Sequence, residues 1–173
     1  MHNRIFWQSA FIISVVAGCA TQDATTGPVA AREPSLQDSP SWGPETPPFN
    51  DEIVLRGDGF GLVKFRQPKD ADRIVYLDTW VRDLAPNTAY LLQRAVDANV
   101  NDDCTGTAWL TLGKGTAAQA LVTDDRGSAR EDLFRDLGAF QPGATFDIQF
   151  RVIDAATSAV VLTSTCYQFT VSQ

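Results

Sequence analysis

Phe146-Asp147-Ile148-Gln149-Phe150-Arg151-Val152 alternates apolar and polar side chains without a break. A strand points successive side chains to opposite faces, so this period of two buries one face and leaves the other in water. The same reading extends outward along the chain. At 61–66, Val63 and Phe65 share a face opposite Leu62 and Lys64, and at 73–81 Val75, Leu77 and Val81 face one way. Further runs fall at 90–95, 107–112, 118–122, 128–133 and 159–171. Turn formers separate them: Gly57-Asp58-Gly59, Pro68-Lys69-Asp70, Pro86-Asn87, Asp124-Asp125-Arg126-Gly127 and Gln141-Pro142-Gly143. Leu133, Phe134 and Leu137 have helical spacing within 130–138, but strand or loop is the preferred reading there. Short strands at this spacing, with no strong amphipathic helix, predict an all-β domain over 51–173, built as an antiparallel sandwich or barrel.

Leu84-Ala85-Pro86-Asn87-Thr88-Ala89-Tyr90 narrows the expectation. It resembles the Leu-x-Pro-x-Thr-x-Tyr corner of fibronectin type III and related immunoglobulin-like domains, where the tyrosine hydroxyl bonds the backbone a few residues upstream. The resemblance implies an immunoglobulin-like β-sandwich and, by itself, no function. Phe140-Gln141-Pro142-Gly143-Ala144-Thr145-Phe146 resembles a second corner, but Phe146 has no hydroxyl, so that corner can pack without making the bond.

The first nineteen residues give an address. Arg4 and the free amine precede an apolar run at 5–16, too short to cross a bilayer, which needs about 20 apolar residues. The run leads into Val16-Ala17-Gly18-Cys19, which resembles the lipobox of bacterial lipoproteins. That resemblance implies cleavage of the signal peptide 1–18, lipidation of Cys19 and an anchor in the cell envelope, with Ala20 favouring the outer membrane, facing the periplasm or the cell surface. Each buried methylene contributes about 0.8 kcal/mol and more than one acyl chain gives stable anchoring. Residues 20–50 are rich in Pro, Ser and Thr and lack apolar periodicity, so they are expected to be a flexible tether spanning roughly 30 Å or more. Trp42 within it is expected to pack on the domain edge.

Composition excludes several chemistries. The net charge of the chain is −7, which argues against nucleic acid as a partner, since a phosphate backbone requires a basic surface. The single histidine, His2, leaves with the signal peptide. The remaining domain thus lacks the commonest general base and transition-metal ligand, which excludes Ser-His-Asp and Cys-His sites. After lipidation of Cys19 the other two of the three cysteines, Cys104 and Cys166, remain. An even pair in an exported protein predicts a disulfide, worth roughly 4 kcal/mol in the chain-entropy model.

Three groups of residues are candidates for binding. Asp97, Asn99, Asn101 and Asp103 place oxygen-bearing side chains at alternate positions, as at the start of a calcium loop. The match stops at Asp102, where the turn glycine belongs, and at Ala108, in the place of the bidentate Glu; Asn and Asp are also ordinary loop residues. Arg56-Gly57-Asp58 spells an integrin-type tripeptide but is also a plain turn, and Leu112-Gly113-Lys114-Gly115-Thr116 reads as a hairpin turn rather than a phosphate loop. Tyr76 and Trp80 lie on the strand face opposite Val75, Leu77 and Val81. A sandwich covered on both sides makes them core, and that is the expectation; an open face makes them a stacking platform for a sugar or a protein.

The function expected from these features is that of a lipid-anchored, non-enzymatic structural or binding module with a protein or glycan partner. A carboxylate-dependent hydrolase, assisted by calcium, and a surface adhesin are the alternatives.

Overall fold

The strands lie largely where alternation places them. The structure is a computed structural model that describes residues 49–70, 72–138 and 140–172. The expected signal peptide, Cys19, Trp42 and all of the expected tether except Phe49 and Asn50, which open the first strand, lie outside the described residues. Twelve strands occur among the described residues: β1 (Phe49–Gly57), β2 (Phe60–Gln67), β3 (Ile74–Arg82), β4 (Ala89–Asp97), β5 (Leu110–Thr111), β6 (Gly113–Lys114), β7 (Ala117–Ala118), β8 (Ala120–Val122), β9 (Ala129–Asp136), β10 (Thr145–Asp154), β11 (Val160–Ser164) and β12 (Tyr167–Thr170).

One layer runs β1-β2-β3-β9 and the other centres on β4-β10. Both seams between the layers are bridged. On one side β11 pairs with both β10 and β1. On the other, residues 110–114 run between the layers: β5 pairs with β4, the Leu112 N–H donates to the Leu92 carbonyl (2.8 Å), and β6 lies parallel to β9 through Lys114 and Phe134. Two separate facing sheets were expected; the observed sheet is continuous and bends into a nearly closed, sandwich-like barrel. Closure removes most exposed edges, which are otherwise templates for pairing with another chain.

The core lies between the layers. Ile53, Leu55, Val63, Phe65, Leu77 and Val81 face Leu92, Ile148, Phe150, Val152 and Phe169, all buried. Phe65 meets Phe169 edge-on, with ring centroids 4.8 Å apart, and Phe150 at 5.8 Å. Each such side chain contributes about 1.5–3 kcal/mol on burial. The alternation at 146–152 follows the expectation, with Phe146, Ile148, Phe150 and Val152 inward.

Two elements differ from the sequence reading. Strand β1 was not anticipated, since its inward residues Ile53 and Leu55 are separated by Val54, which blurs the period of two. The run at 159–171 divides into β11 and β12. Ser164 makes the division: its hydroxyl accepts the Phe150 N–H (3.0 Å) and donates to the Thr165 carbonyl (2.6 Å). It thereby supplies a side-chain partner for β10 where one neighbouring strand gives way to the next. Residues 130–138 form β9 and its following turn, as preferred over a helix.

The corner at 84–90 is held as its resemblance implies. Tyr90 is buried and its hydroxyl accepts the Ala85 N–H at 3.2 Å. The Thr123 hydroxyl donates to the Ala85 carbonyl (2.7 Å) and accepts the Thr88 N–H (3.0 Å), tying the corner to the β8–β9 turn. Gly127 in that turn has φ +74° and approaches the Leu84 carbonyl so closely that a Cβ would lie 2.0 Å from its oxygen. The second corner packs without a hydroxyl: Phe146 sits 5.3 Å from Phe140 and 5.2 Å from Phe169.

Candidate functional site

The two outer faces of the barrel are treated differently. Pairing of β1, β2, β3 and β9 sets the outer face of the first layer in cross-strand rows, because residues opposite one another project to the same side. One row is Arg56, Phe60 and Arg82; the next is Val54, Leu62, Trp80 and Arg130. A third holds Glu52, Lys64, Asp78 and Asp132, and a fourth Asn50, Arg66, Tyr76 and Phe134.

This face meets solvent. Trp80 is 37% exposed and Tyr76 is half-buried, so the expectation that both are core is corrected. Their outward direction follows from the alternation itself: Val75, Leu77 and Val81 occupy the inner face of the same strand. The two rings do not form one platform, however. They are four residues apart on β3, roughly 13 Å along an extended strand, and Asp78 stands between them, paired with Arg66 at 3.0 Å. Tyr76 lies under the Arg66 guanidinium at 5.8 Å. Trp80 packs instead against Phe60, with centroids 5.8 Å apart and planes at 65°.

Two arginines flank this aromatic pair, and one of them, Arg82, is also paired with Asp83 at 3.6 Å. The Arg56 and Arg82 guanidinium groups lie 4.7 and 4.9 Å from the Phe60 centroid, and Arg82 is 5.6 Å from that of Trp80. Guanidinium over a ring is a favourable cation–π arrangement that also holds the side chain in place. Trp80, Leu62, Lys64, Asp78, Asp124 and Arg130 line a shallow open depression beside it. Arg56, Phe60 and Arg82 were not singled out from sequence. Their common row depends on the register of two hairpins, although Arg82 at two residues from Trp80 is the local signal that would have pointed to it.

The outer face of β4 and β10 is covered by the loop at 98–109. Trp109 lies over the Arg151 guanidinium at 4.0 Å, and Arg151 donates to Gln93 at 2.8 Å. Cys104 and Cys166 form a disulfide with Cα atoms 5.4 Å apart, anchoring this loop beside the start of β12. Asp147, fully buried, accepts the Asn101 and Asp102 N–H groups at 2.9 and 2.8 Å on one oxygen.

The residues proposed for calcium belong to this cover. Asp97 accepts the Asn99 N–H (3.0 Å) on one oxygen, and the Thr105 hydroxyl (2.6 Å) and N–H (3.2 Å) on the other. These bonds, led by that from the Thr105 hydroxyl, hold the Asp97 carboxyl below its ordinary value. Asn101 accepts the Asp103 N–H at 3.1 Å. The side-chain oxygens of Asp97 and Asn101 thus cap turns within the loop, and among the described residues no group of three or more His, Cys, Asp or Glu side chains is placed to hold a metal ion. Residues 112–116 form the expected hairpin, β6 to β7, with Gly115 at φ +69°. In the tripeptide at 56–58, Arg56 is committed to the Phe60 ring and the Asp58 N–H to the Val161 carbonyl (2.9 Å).

No protein-family model matches the chain, and no curated protein matches it.

Proposed function

We propose that this protein is a lipid-anchored, non-enzymatic module of the bacterial envelope whose immunoglobulin-like barrel binds a glycan on the open face of β1-β2-β3-β9. Cys19 carries the anchor, and residues 20–48, up to the start of β1, hold the domain away from the lipid. One observation carries the choice of face: Trp80 is exposed, braced by Phe60 and flanked by Arg56 and Arg82, on the side of the barrel that no loop among the described residues covers.

The polar character of this face favours a glycan over a protein. A protein interface wants an apolar core surrounded by a polar rim, whereas Trp80 is the only large apolar side chain that is exposed here among the described residues. The neighbouring rows are filled by exposed ion pairs, Lys64 with Glu52 (3.4 Å) and Arg130 with Asp132 (3.8 Å). An indole beside planar guanidinium and carboxylate groups offers a stacking surface for the apolar face of a sugar and charge-assisted hydrogen bonds for its hydroxyl or acidic groups. The hydrolase alternative requires two acids converging in a cleft, while Asp97 and Asp147, which are register partners on β4 and β10, both accept loop N–H groups.

The test is a binding titration of the lipidated protein against fragments of envelope polysaccharide. Wild type should bind in a salt-sensitive manner, and Trp80→Ala and Arg82→Ala should each weaken binding at least tenfold. Unchanged binding in both variants would refute the assignment of this face. In parallel, Cys19→Ala should move the protein from the membrane fraction to the soluble one.

A further inference from the structure

Arg94 on β4 and Arg135 on β9 project inward, where the core would ordinarily be apolar. Arg94 pairs in register with Phe150 and Arg135 with Val75, both buried on the inner face. The two arginines line one cavity at the end of the core away from Tyr90, walled by Phe140, Phe146, Leu112 and Leu137. Its enclosed room is ≈ 30 Å³, which admits a short apolar group and not an acyl chain.

The electrostatics of this cavity are incomplete. A guanidinium withdrawn from water needs an acceptor, since an unpaired charge in an apolar setting is unfavourable. Arg94 is half-buried and its guanidinium makes no hydrogen bond or ion pair with the described residues. Its pKa is lowered by burial first and by the positive charge of Arg135 second. Arg135 donates to the Gly115 carbonyl at 3.1 Å and otherwise keeps its donors unused among the described residues. Asp136, the one acid in the lining, accepts the Gly138 N–H at 2.7 Å and pairs with neither arginine. Two like charges held together at the mouth of an apolar recess, in a chain of net charge −7, mark a place prepared for an anion.

We infer that this cavity binds a small amphipathic anion, a carboxylate on a short apolar group, with Arg94 and Arg135 holding the carboxylate and the Phe140, Phe146 and Leu137 side chains enclosing the apolar part. Planar guanidinium groups match a carboxylate through paired N–H donors, which an ammonium does not. This site is independent of the glycan-binding face, because it lies on the opposite side of the first layer.

The test uses the full chain, nitrogen-15 NMR of the arginine side chains, and three probes: butyrate, its neutral counterpart butyramide, and inorganic phosphate. Butyrate should shift the Arg94 and Arg135 side-chain resonances saturably and bind at least tenfold more tightly than either other probe. Arg94→Met and Arg135→Met should each weaken butyrate at least tenfold. Since Met keeps the apolar stem and removes an unpaired charge, Arg94→Met should melt no lower than wild type. Equal response to butyramide, equal response to phosphate, undiminished butyrate binding in both variants, or a lowered melting temperature of Arg94→Met would each overturn the assignment.

Discussion

The outer face of β4 and β10 is sealed by a loop that spends its polar groups on the barrel, whereas the outer face of β1-β2-β3-β9 carries its polar and aromatic groups into solvent. On the sealed side, Asp147 has no exposure and Trp109 is stacked on Arg151. On the open side, Trp80 is 37% exposed and its charged neighbours form solvent-facing pairs. Both faces contain aromatic rings, guanidinium groups and carboxylates. The difference is exposure: on one side a docked loop buries these groups, and on the other the ion pairs and the Trp80 ring stay in contact with solvent. The same residue types therefore contribute packing where they are covered and, on the proposed reading, a surface for a ligand where they are not.

The largest way to break this contrast is to release the cover. Replacing Cys104 and Cys166 by Ala removes a cross-link over a sequence separation of 62 residues and should cost about 4 kcal/mol, the chain-entropy value for a loop of that size. Thermal unfolding measures it, and the open face should bind as before once the variant is held below its melting temperature. Next in size is Asp147→Ala. Two backbone N–H groups lose a charged acceptor, which should cost about 2 kcal/mol and speed amide exchange at Asn101 and Asp102 first. Tyr90→Phe removes the hydroxyl bond to Ala85 and should cost about 1 kcal/mol without altering either outer face.

A smaller effect appears with pH. Asp124 is exposed, Asp97 and Asp154 are half-buried, and their carboxyl groups lie below the ordinary value of 3.8 because loop donors bond them, led by the Ser128 N–H, the Thr105 hydroxyl and the Thr157 N–H respectively. A depressed folded-state pKa contributes stability above 3.8 that is lost as pH falls through the folded value. Acid titration of Asp97→Asn should accordingly show a shallower loss of stability below pH 3.8 than wild type, with no difference near neutrality in slope. Trp80→Ala should cost about 1 kcal/mol, since the ring gives up its edge contact with Phe60 and its place under Arg82, and the larger signature of this variant should be the loss of glycan binding.

The sequence made some of this architecture readable and concealed the rest for definite reasons. Strand β10 was plain because apolar and polar residues alternate from Phe146 to Val152, although its polar face is covered too, and Tyr90 was plain because its corner is local to seven residues. The Cys104–Cys166 disulfide was legible from cysteine count. The outward direction of Trp80 was legible too, but its exposure was not, because whether a face is covered depends on where the loop at 98–109 docks. That choice is made by contacts distant in sequence, such as Asp147 with Asn101 and Arg151 with Trp109. The row of Arg56, Phe60 and Arg82 and the cavity of Arg94 and Arg135 needed strand register and barrel closure, neither of which alternation specifies.

The most direct measurement is a hydrogen-exchange footprint of the protein saturated with an envelope glycan that it binds. Protection should centre on Phe60, Leu62, Trp80 and Arg82 and leave residues 98–109 unchanged. Protection confined to residues 98–109, with the Trp80 face unaffected, would contradict the assignment of the open face as the binding surface.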